Sequence, residues 1–346
     1  LLEISREVFN FIFQYAPINS DQTLIVSTNS RVNIEMQLQP EFEAIVNLER
    51  INDIRYLNKF FEAVNAKLPV GGIFVDHVET RALRKSRILK KFPPGLNYLY
   101  YTADFIVKRI FPKFALTKGM YFFLTRGQNR VLSKAETFGR LYSCGFSIVE
   151  ERHIENYLYF IARKEKEPLF PENPSYGPII ALERIGREGR PIKVYKMRTM
   201  HPFAEYLQEY MYRKAGLQEG GKFRDDFRIS TLGKILRTFW LDELPMLVNL
   251  LRGEMKLFGV RPLSRQYFEL YSGELQQKRI RHKPGLIPPY YADNPRTIDE
   301  IMASELKYLD AYEKHPLATD FRYFWKAVYN IVVKKAYCDW ARYKEF

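Results

Sequence analysis

Short apolar runs alternate with an amphipathic stretch along the first part of the chain. Residues 23–28 (TLIVST), 43–48 (EAIVNL) and 73–78 (IFVDHV) are apolar runs of strand length, typical of buried β-strands. Between 54 and 64 apolar residues recur at helical spacing, and the turn-forming stretch 69–72 (PVGG) ends that helix. Strands alternating with helices predict a parallel sheet with right-handed crossovers.

A helix and two further strands are predicted next. In "SKAETFGRLYSCGFSIVEE", Ser133 and Glu136 have the spacing of a capping box, and Gly145 follows as a helix stop. The runs 146–150 and 157–163 then predict a β-hairpin.

The pattern changes after residues 164–178, "KEKEPLFPENPSYGP", which combine charges with four prolines. We therefore predict a first domain over 1–166, a linker over 167–176 and a second domain over 177–346. In the second domain, "LERIGREGRPIKVYKMRTM" predicts a strand, a glycine turn and a strand. A polar, helix-like segment (203–216) and the loop "GLQEGGKFRDDFR" follow.

Composition narrows the class of partner. The chain of 346 residues is 46% apolar and carries a formal net charge of +14. This charge predicts an anionic partner: nucleic acid, acidic lipid headgroups or phosphorylated small molecules. Two cysteines, Cys144 and Cys338, make neither a disulfide framework nor a metal knuckle, so we expect a reducing compartment. No apolar run reaches the roughly 18 residues that span a bilayer, and no signal peptide is evident.

The stretch "FWLDELPMLVNLLRGEMKLFGVRPL" places two adjacent carboxylates, Asp242 and Glu243, among apolar residues. Pro245 fits the first turn of a helix and Gly253 can end it, so both carboxylates are predicted at a helix start. N-capping would account for one carboxylate but not for the second. The nearby cations are Arg228, Lys234, Arg237 and Arg261. Two carboxylates among guanidinium groups suit a site that handles phosphate with a divalent cation.

Three stretches in this region, "VYKMRTM", "DDFRISTLGKILRTFWLDELPMLVNLLRGEMKLFGVRPL" and "HKPGL", resemble the bacterial sugar transferase family. These are the monotopic phosphoglycosyl transferases that start glycan assembly on polyprenyl phosphate. The similarity covers residues 177–290. It implies an α+β catalytic domain that moves a sugar 1-phosphate from a nucleoside-diphosphate sugar, such as a uridine diphosphate sugar, to undecaprenyl phosphate. It also implies Mg²⁺ and a peripheral or monotopic location at the cytoplasmic face of the bacterial inner membrane.

The resemblance implies roles for individual residues. Asp242 corresponds to the family's nucleophile, and Glu243 to its partner in metal binding and acid/base chemistry; both are candidate metal ligands. The phosphate-binding and structural positions correspond to Lys196, Arg198, Arg228, Arg237, Arg261 and Pro262. The implied reaction is ping-pong, with attack of Asp242 on the β-phosphorus followed by attack of polyprenyl phosphate on the sugar-phosphoryl aspartate.

Two departures from the family pattern are visible. The family's apolar re-entrant helix precedes the strand "GPIIALERIG", whereas this chain has the proline-rich linker there. The family continues "KPGL" with a small, polar stretch, whereas this chain has "IPPYYAD". The first departure bears on membrane docking, and the second on the specificity for sugar or lipid.

Residues 20–165 resemble the second half of a class I methyltransferase fold, through the turn "LPVGGIFV" and the closing hairpin. The resemblance implies a truncated Rossmann-like scaffold in an α/β chain. That family's cofactor loop is rich in glycine, but "TLIVSTNSRVN" has none, so we expect no S-adenosylmethionine. The alternatives are an active methyltransferase and a nucleic-acid binder, for which no zinc finger, RNP or helix-turn-helix signature is found. The oligomeric state is not determined.

Two aromatic and basic segments, 93–125 and 321–337, are candidates for contact with an anionic membrane surface. Pro112 divides the first. Its cations are Lys108, Arg109, Lys113 and Lys118. The alternative is that both segments cover the cores of their own domains.

Overall fold

A computed structural model describes residues 5–39, 41–170, 177–215, 226–295 and 297–333. Part of the predicted linker (171–176), most of the loop "GLQEGGKFRDDFR", the end of the second aromatic segment (334–337) and Cys338 lie outside the described residues. The chain divides into two compact units. The first unit consists of described residues of Leu1–Tyr176 together with His201–Lys214. The second unit consists of described residues of Gly177–Met200 and Ala215–Phe346. The structure is mixed α/β, as predicted.

A five-stranded mixed sheet forms the centre of the first unit, in the order β1-β2-β3-β5-β4. The strands are β1 (Thr23–Val26), β2 (Ala44–Asn47), β3 (Ile73–Val78), β4 (Phe146–Ile154) and β5 (Tyr157–Lys164). The first three strands pair in parallel, and β5 runs antiparallel to both β3 and β4. The predicted strands, their parallel pairing and the closing hairpin are therefore confirmed.

Helices surround this sheet. They are α1 (Arg6–Phe13), α2 (Val32–Glu35), α3 (Leu57–Ala66), α4 (Arg81–Lys91), α5 (Leu96–Phe105), α6 (Ala115–Thr125) and α7 (Lys134–Ser143). A π-helical turn (Ile106–Ile110) and a 3₁₀ turn (Phe111–Lys113) join α5 to α6. The predicted start and stop of α7 are confirmed. The Ser133 hydroxyl accepts the Glu136 amide at 3.1 Å, and Gly145 has a φ of +86°. A Cβ there would lie 2.0 Å from the Lys166 carbonyl oxygen, so only glycine fits.

The segment His201–Lys214, with a 3₁₀ turn (Ala204–Leu207) and most of α8 (Gln208–Ala215), packs with the first unit. The predicted second domain (177–346) includes this segment, whereas the structure groups it with the first unit. The ring of Tyr210 meets Phe138 of α7 edge-on at 5.7 Å, and its hydroxyl donates to Glu151 of β4 at 3.1 Å. These aromatic contacts depend on the partner surface, which the polar, helix-like pattern of the segment does not specify.

The second unit begins with the predicted hairpin, formed by β6 (Ile179–Ile185) and β7 (Pro191–Met197). A short parallel pair joins β8 (Lys256–Phe258) to β9 (Gly285–Ile287). The helices are α9 (Thr231–Thr238), α10 (Leu247–Leu251), α11 (Arg265–Glu269), α12 (Gly273–Arg281), α13 (Tyr290–Asp293), α14 (Ile298–Lys314) and α15 (Pro316–Val332). Buried apolar side chains of β8, α12, α13, α14 and α15 form the main core.

Short 3₁₀ turns complete this unit, at Arg187–Gly189 and Leu241–Met246. No helix among the described residues combines the length and the apolar character needed to cross a bilayer.

Candidate active site

The two adjacent carboxylates lie at the start of a helical segment, as predicted. Trp240 adopts a left-handed conformation with a φ of +56°, and the 3₁₀ turn that follows it carries Asp242, Glu243 and Pro245 before leading into α10. Asp242 is buried, although the turn also exposes apolar side chains. The Trp240 ring packs on Tyr291 of α13 at 4.9 Å. This aromatic contact fixes the turn that presents the carboxylates.

A buried asparagine attaches α10 to the hairpin. Asn249 is fully buried; its Nδ2 donates to the Lys193 carbonyl at 2.7 Å, and its Oδ1 accepts the Tyr195 amide at 3.2 Å. Both partners are main-chain groups of β7, so the Asn249 amide satisfies one carbonyl and one N–H of that strand. The carboxylate turn is thereby held at a fixed place beside β7.

The partner of Glu243 comes from β7. Lys196 Nζ donates to Glu243 Oε1 at 3.0 Å, and Arg261 Nη2 lies 4.0 Å from the same oxygen. Burial lowers the pKa of Lys196, and the positive charge of Arg261 lowers it further. The charges of Glu243 and Asp242 and the hydrogen bond to Glu243 raise this pKa, but the net shift is downward. One carboxylate oxygen is therefore shared between two cations, which organises positive charge beside the buried Asp242.

Arg261 is held from two sides. Its Nη1 donates to the Tyr290 hydroxyl at 2.8 Å, and its backbone carbonyl accepts Arg279, which also pairs with buried Glu305. Burial lowers the pKa of Arg261, but Tyr290, Glu243 and Tyr291 raise it by more, so that its pKa lies above the ordinary value. The guanidinium stays cationic and oriented, a state suited to a phosphate group.

A close backbone approach sets the position of Arg237. A Cβ on Gly233 of α9 would lie 1.9 Å from the Thr199 carbonyl oxygen, so α9 can approach the end of β7 only with glycine there. Arg237, one turn later, then donates from Nε to Thr199 Oγ1 at 3.0 Å. The predicted phosphate-binding Arg237 therefore lies beside the strand that carries Lys196.

The other predicted residues have different surroundings. Arg198 Nε donates to the Gly177 carbonyl at 2.9 Å. Arg228 is buried and forms a bidentate pair with Asp226, with contacts between 2.6 and 3.0 Å. Pro262 is buried next to Arg261 and offers no side-chain donor. The structure thus brings Asp242, Glu243, Lys196 and Arg261 together, while Arg198 and Arg228 contact other groups. Their phosphate-binding roles stay predictions.

The carboxylate pair is compatible with the expected cation. Mg²⁺ typically binds one or two protein carboxylates and completes its shell with phosphate oxygens and water. Asp242 and Glu243 supply such oxygens. Among the described residues, no group of three or more His, Cys, Asp or Glu side chains is placed to hold a metal by itself. This donor set therefore fits a cation that would be shared with a bound diphosphate.

Sequence reasoning missed the residues that support the site. Asn249 stands in the apolar run "MLVNLL", where an isolated amide in a helix is a usable signal for a buried polar contact. Tyr290 falls in "IPPYYAD", a stretch in which the sequence shows only a departure from the family pattern. Arg279 and Glu305 lie in ordinary charged helices, and nothing in their sequence spacing indicates that they pair.

Comparison with known proteins finds a family match in the C-terminal half of the chain. Residues 172–334 match the family model described as "Bacterial sugar transferase". This match confirms the resemblance of the motifs to that family.

Three relatives illustrate the match. Galactosyl transferase CpsE of Streptococcus agalactiae is 34% identical over 143 residues, which cover 39% of this chain and 31% of that protein. Exopolysaccharide production protein ExoY of Sinorhizobium fredii is 38% identical over 30% of this chain and 47% of its own length. UDP-glucose:undecaprenyl-phosphate glucose-1-phosphate transferase of Caulobacter vibrioides is 36% identical over 32% of this chain and 39% of its own length. The matched part spans less than half the length of each relative.

A solved structure of an O-methyltransferase family protein from Burkholderia thailandensis is 13% identical. It covers 40% of this chain and 33% of its own, with a TM-score of 0.23. A score at that level supports no fold assignment, so the methyltransferase-like character of the first unit stays a prediction.

Proposed function

We propose that the protein transfers a sugar 1-phosphate from a nucleoside-diphosphate sugar, in particular a uridine diphosphate sugar, to undecaprenyl phosphate. The observation that carries this proposal is the position of Asp242. It is buried beside a Glu243 that Lys196 and Arg261 hold, within a segment that matches the bacterial sugar transferase family. Relatives in that family are named for transfer of glucose 1-phosphate to undecaprenyl phosphate.

The reaction has two displacements at one phosphorus. An oxygen of the Asp242 carboxylate bonds to the β-phosphorus while the bond to the bridging oxygen breaks, and the nucleoside monophosphate leaves with that electron pair. A phosphate oxygen of undecaprenyl phosphate then attacks the same phosphorus, and the Asp242 carboxylate is released. Such a covalent intermediate divides one difficult displacement into two easier ones.

The residues around Asp242 have separate tasks. Arg261, cationic and fixed by Tyr290, would bind the diphosphate oxygens in a bidentate manner. Lys196 would hold Glu243 in position beside the nucleophile. A Mg²⁺ ion on Asp242 and Glu243 would supply neutralisation of the diphosphate charge, and positioning of this kind accounts for most catalysis of phosphoryl transfer.

The test is the Asp242→Asn variant. Wild type incubated with a uridine diphosphate sugar and Mg²⁺ should release uridine monophosphate once per enzyme without acceptor and repeatedly with undecaprenyl phosphate. The variant should lose both activities by at least about a thousand-fold, because it lacks the nucleophile. Intact-protein mass spectrometry should detect the sugar-phosphate adduct on wild type only.

Asp299→Asn, which changes an exposed carboxylate of α14, is the matched control and should react like wild type. Turnover by Asp242→Asn close to that of this control would refute the nucleophile assignment. A panel of nucleotide sugars assayed in the same way would identify the donor.

We also propose that the first unit is a truncated, methyltransferase-like scaffold without an S-adenosylmethionine site. Its reversed strand β5, inserted between β3 and β4, supports the relationship, and the loop after β1 lacks glycine. Calorimetric titration of the full chain with S-adenosylmethionine should give no heat of binding. Saturable heat would instead support the alternative of a bifunctional enzyme.

A further inference from the structure

The segment from α5 to α6 has an unusual distribution of polar and apolar side chains. In α5 the buried residues are Asn97 and Asp104, and in the π-helical turn the buried residue is Arg109. Most apolar side chains of α5 are exposed, and α6 buries Tyr121 while it exposes four other apolar side chains. Those exposed in α6 are Leu116, Met120, Phe123 and Leu124. In α5 and the π-helical turn, this arrangement inverts the usual amphipathic pattern, in which the apolar face is buried.

Buried ion pairs hold the segment in this orientation. Arg84 of α4 forms a bidentate pair with Asp104, at 2.7 and 2.8 Å. Arg109 pairs with Glu136 of α7 and donates to the Val131 carbonyl at 2.8 Å. Unpairing a buried ion is costly. The segment therefore cannot rotate its apolar side chains inward without breaking these pairs.

The exposed apolar side chains are extensive. Leu116, Phe123 and Leu124 are 93%, 83% and 71% exposed, and Tyr98, Leu99 and others of α5 are also exposed. An extensive exposed apolar surface usually marks an interaction site. We name the exposed apolar residues of α5, α6 and the turns between them the outward apolar face.

Charge identifies the kind of partner. Residues 81–135 contain thirteen Lys and Arg and one acidic residue, Asp104, so their formal net charge is +12 of the +14 carried by the whole chain. That single carboxylate is buried and paired with Arg84. Exposed lysines border the apolar residues: Lys85 and Lys91 on α4 and Lys118 on α6.

We propose that the outward apolar face docks the protein on an anionic lipid bilayer, with its apolar side chains in the headgroup boundary and the surrounding lysines on acidic headgroups. A second copy of the chain would bring two strongly cationic surfaces together, which charge repulsion opposes. A nucleic acid would use the cations but leave the aliphatic side chains in water.

α15 also exposes aromatic side chains, namely Phe321, Trp325 and Tyr329. Residues 316–333 carry a net charge of only +1, so the charge of α15 favours docking on an anionic bilayer less.

The inference rests on the proposed function only in that an undecaprenyl acceptor also resides in a bilayer. Flotation with vesicles of phosphatidylcholine and phosphatidylglycerol tests it without either substrate. The full-length protein should float with these vesicles and much less with pure phosphatidylcholine. Uridine monophosphate release with detergent-dispersed acceptor is measured separately, so a failure of docking is distinguished from a failure of the proposed chemistry.

The apolar variant combines Leu116→Ser, Phe123→Ser and Leu124→Ser. It should lower the vesicle partition coefficient by more than about a hundred-fold, because each side chain loses burial in lipid. Its matched control combines Met36→Ser, Leu38→Ser and Val70→Ser, at positions 74%, 102% and 73% exposed in the same unit. The control should float like wild type. Circular dichroism checks that both variants are folded.

The charge variant combines Lys85→Gln, Lys91→Gln and Lys118→Gln. Since each lysine near an anionic surface changes the partition coefficient about five-fold, the three together should lower it on the order of a hundred-fold. The control, Lys193→Gln with Lys307→Gln and Lys314→Gln, changes three exposed lysines of the second unit and should bind normally.

Two results would overturn the proposal. One is flotation of the apolar variant equal to that of its control. The other is a wild-type dimer in light scattering that the apolar variant converts to monomer, which would assign the face to a second copy.

Discussion

Replacing Lys196 by methionine tests the electrostatic core of the candidate active site. Methionine keeps most of the side-chain volume and removes the charge together with the hydrogen bond to Glu243. Glu243, whose side chain is 13% exposed, would lose its partner at 3.0 Å and retain Arg261 at 4.0 Å. Removal of one partner of a fully buried pair costs about 3–5 kcal/mol. Because Arg261 and some water still compensate the carboxylate, we expect a loss of about 2 kcal/mol.

The measurement is urea unfolding followed by tryptophan fluorescence. All three tryptophans, at 240, 325 and 340, belong to the C-terminal part of the chain, so the signal reports the second unit. Lys193→Met is the control on the same strand, and its exposed side chain should change the free energy of unfolding by less than about 0.5 kcal/mol. In a double-mutant cycle with Glu243→Gln, the coupling energy should be about 1–2 kcal/mol.

A loss for Lys196→Met no larger than for Lys193→Met would refute this reasoning, as would a coupling energy near zero. Either result would mean that solvent already satisfies Glu243. Lys196→Met should also release uridine monophosphate more slowly than wild type, because Glu243 would no longer be held beside Asp242.

Three further predictions concern other parts of the structure. Tyr290→Phe removes the acceptor at 2.8 Å from Arg261 and should lower kcat/KM for the nucleotide sugar by roughly ten-fold, whereas an unchanged value would show that Arg261 needs no such support. Gly285→Ala would place a Cβ 2.1 Å from the Gly259 nitrogen and should destabilise the second unit by about 1–3 kcal/mol, read from tryptophan fluorescence. Burial and Arg50 lower the pKa of His77 to about 4. Its neutral form therefore stabilises the first unit fully above pH 6.5, and this contribution of about 3 kcal/mol is lost as the pH falls from 6.5 through 4. His77→Phe should flatten that dependence in unfolding followed by circular dichroism, and an identical pH profile for the two proteins would contradict the assignment.

The local elements follow from the residues that compose them. Apolar runs identified β1, β2 and β3, and Ser133 with Gly145 bounded α7, because strand burial and helix capping depend on residues that are neighbours in the chain. Pro245 and Gly253 likewise located Asp242 and Glu243 at a helix start, and long motifs indicated the family whose model matches residues 172–334.

Which charges meet depends on the packing of elements that are distant in the chain. Lys196 lies 47 residues from Glu243, and Arg261 lies 29 residues from Tyr290, so their pairing depends on how β7, α10 and α13 pack. The same holds for the segment from α5 to α6. Its composition indicated an aromatic, basic helix pair, but the helical pattern does not distinguish a face turned to the core from one turned outward. The buried pair of Arg84 and Asp104 made that choice, because an ion pair formed inside a protein fixes the orientation of the helix that carries it.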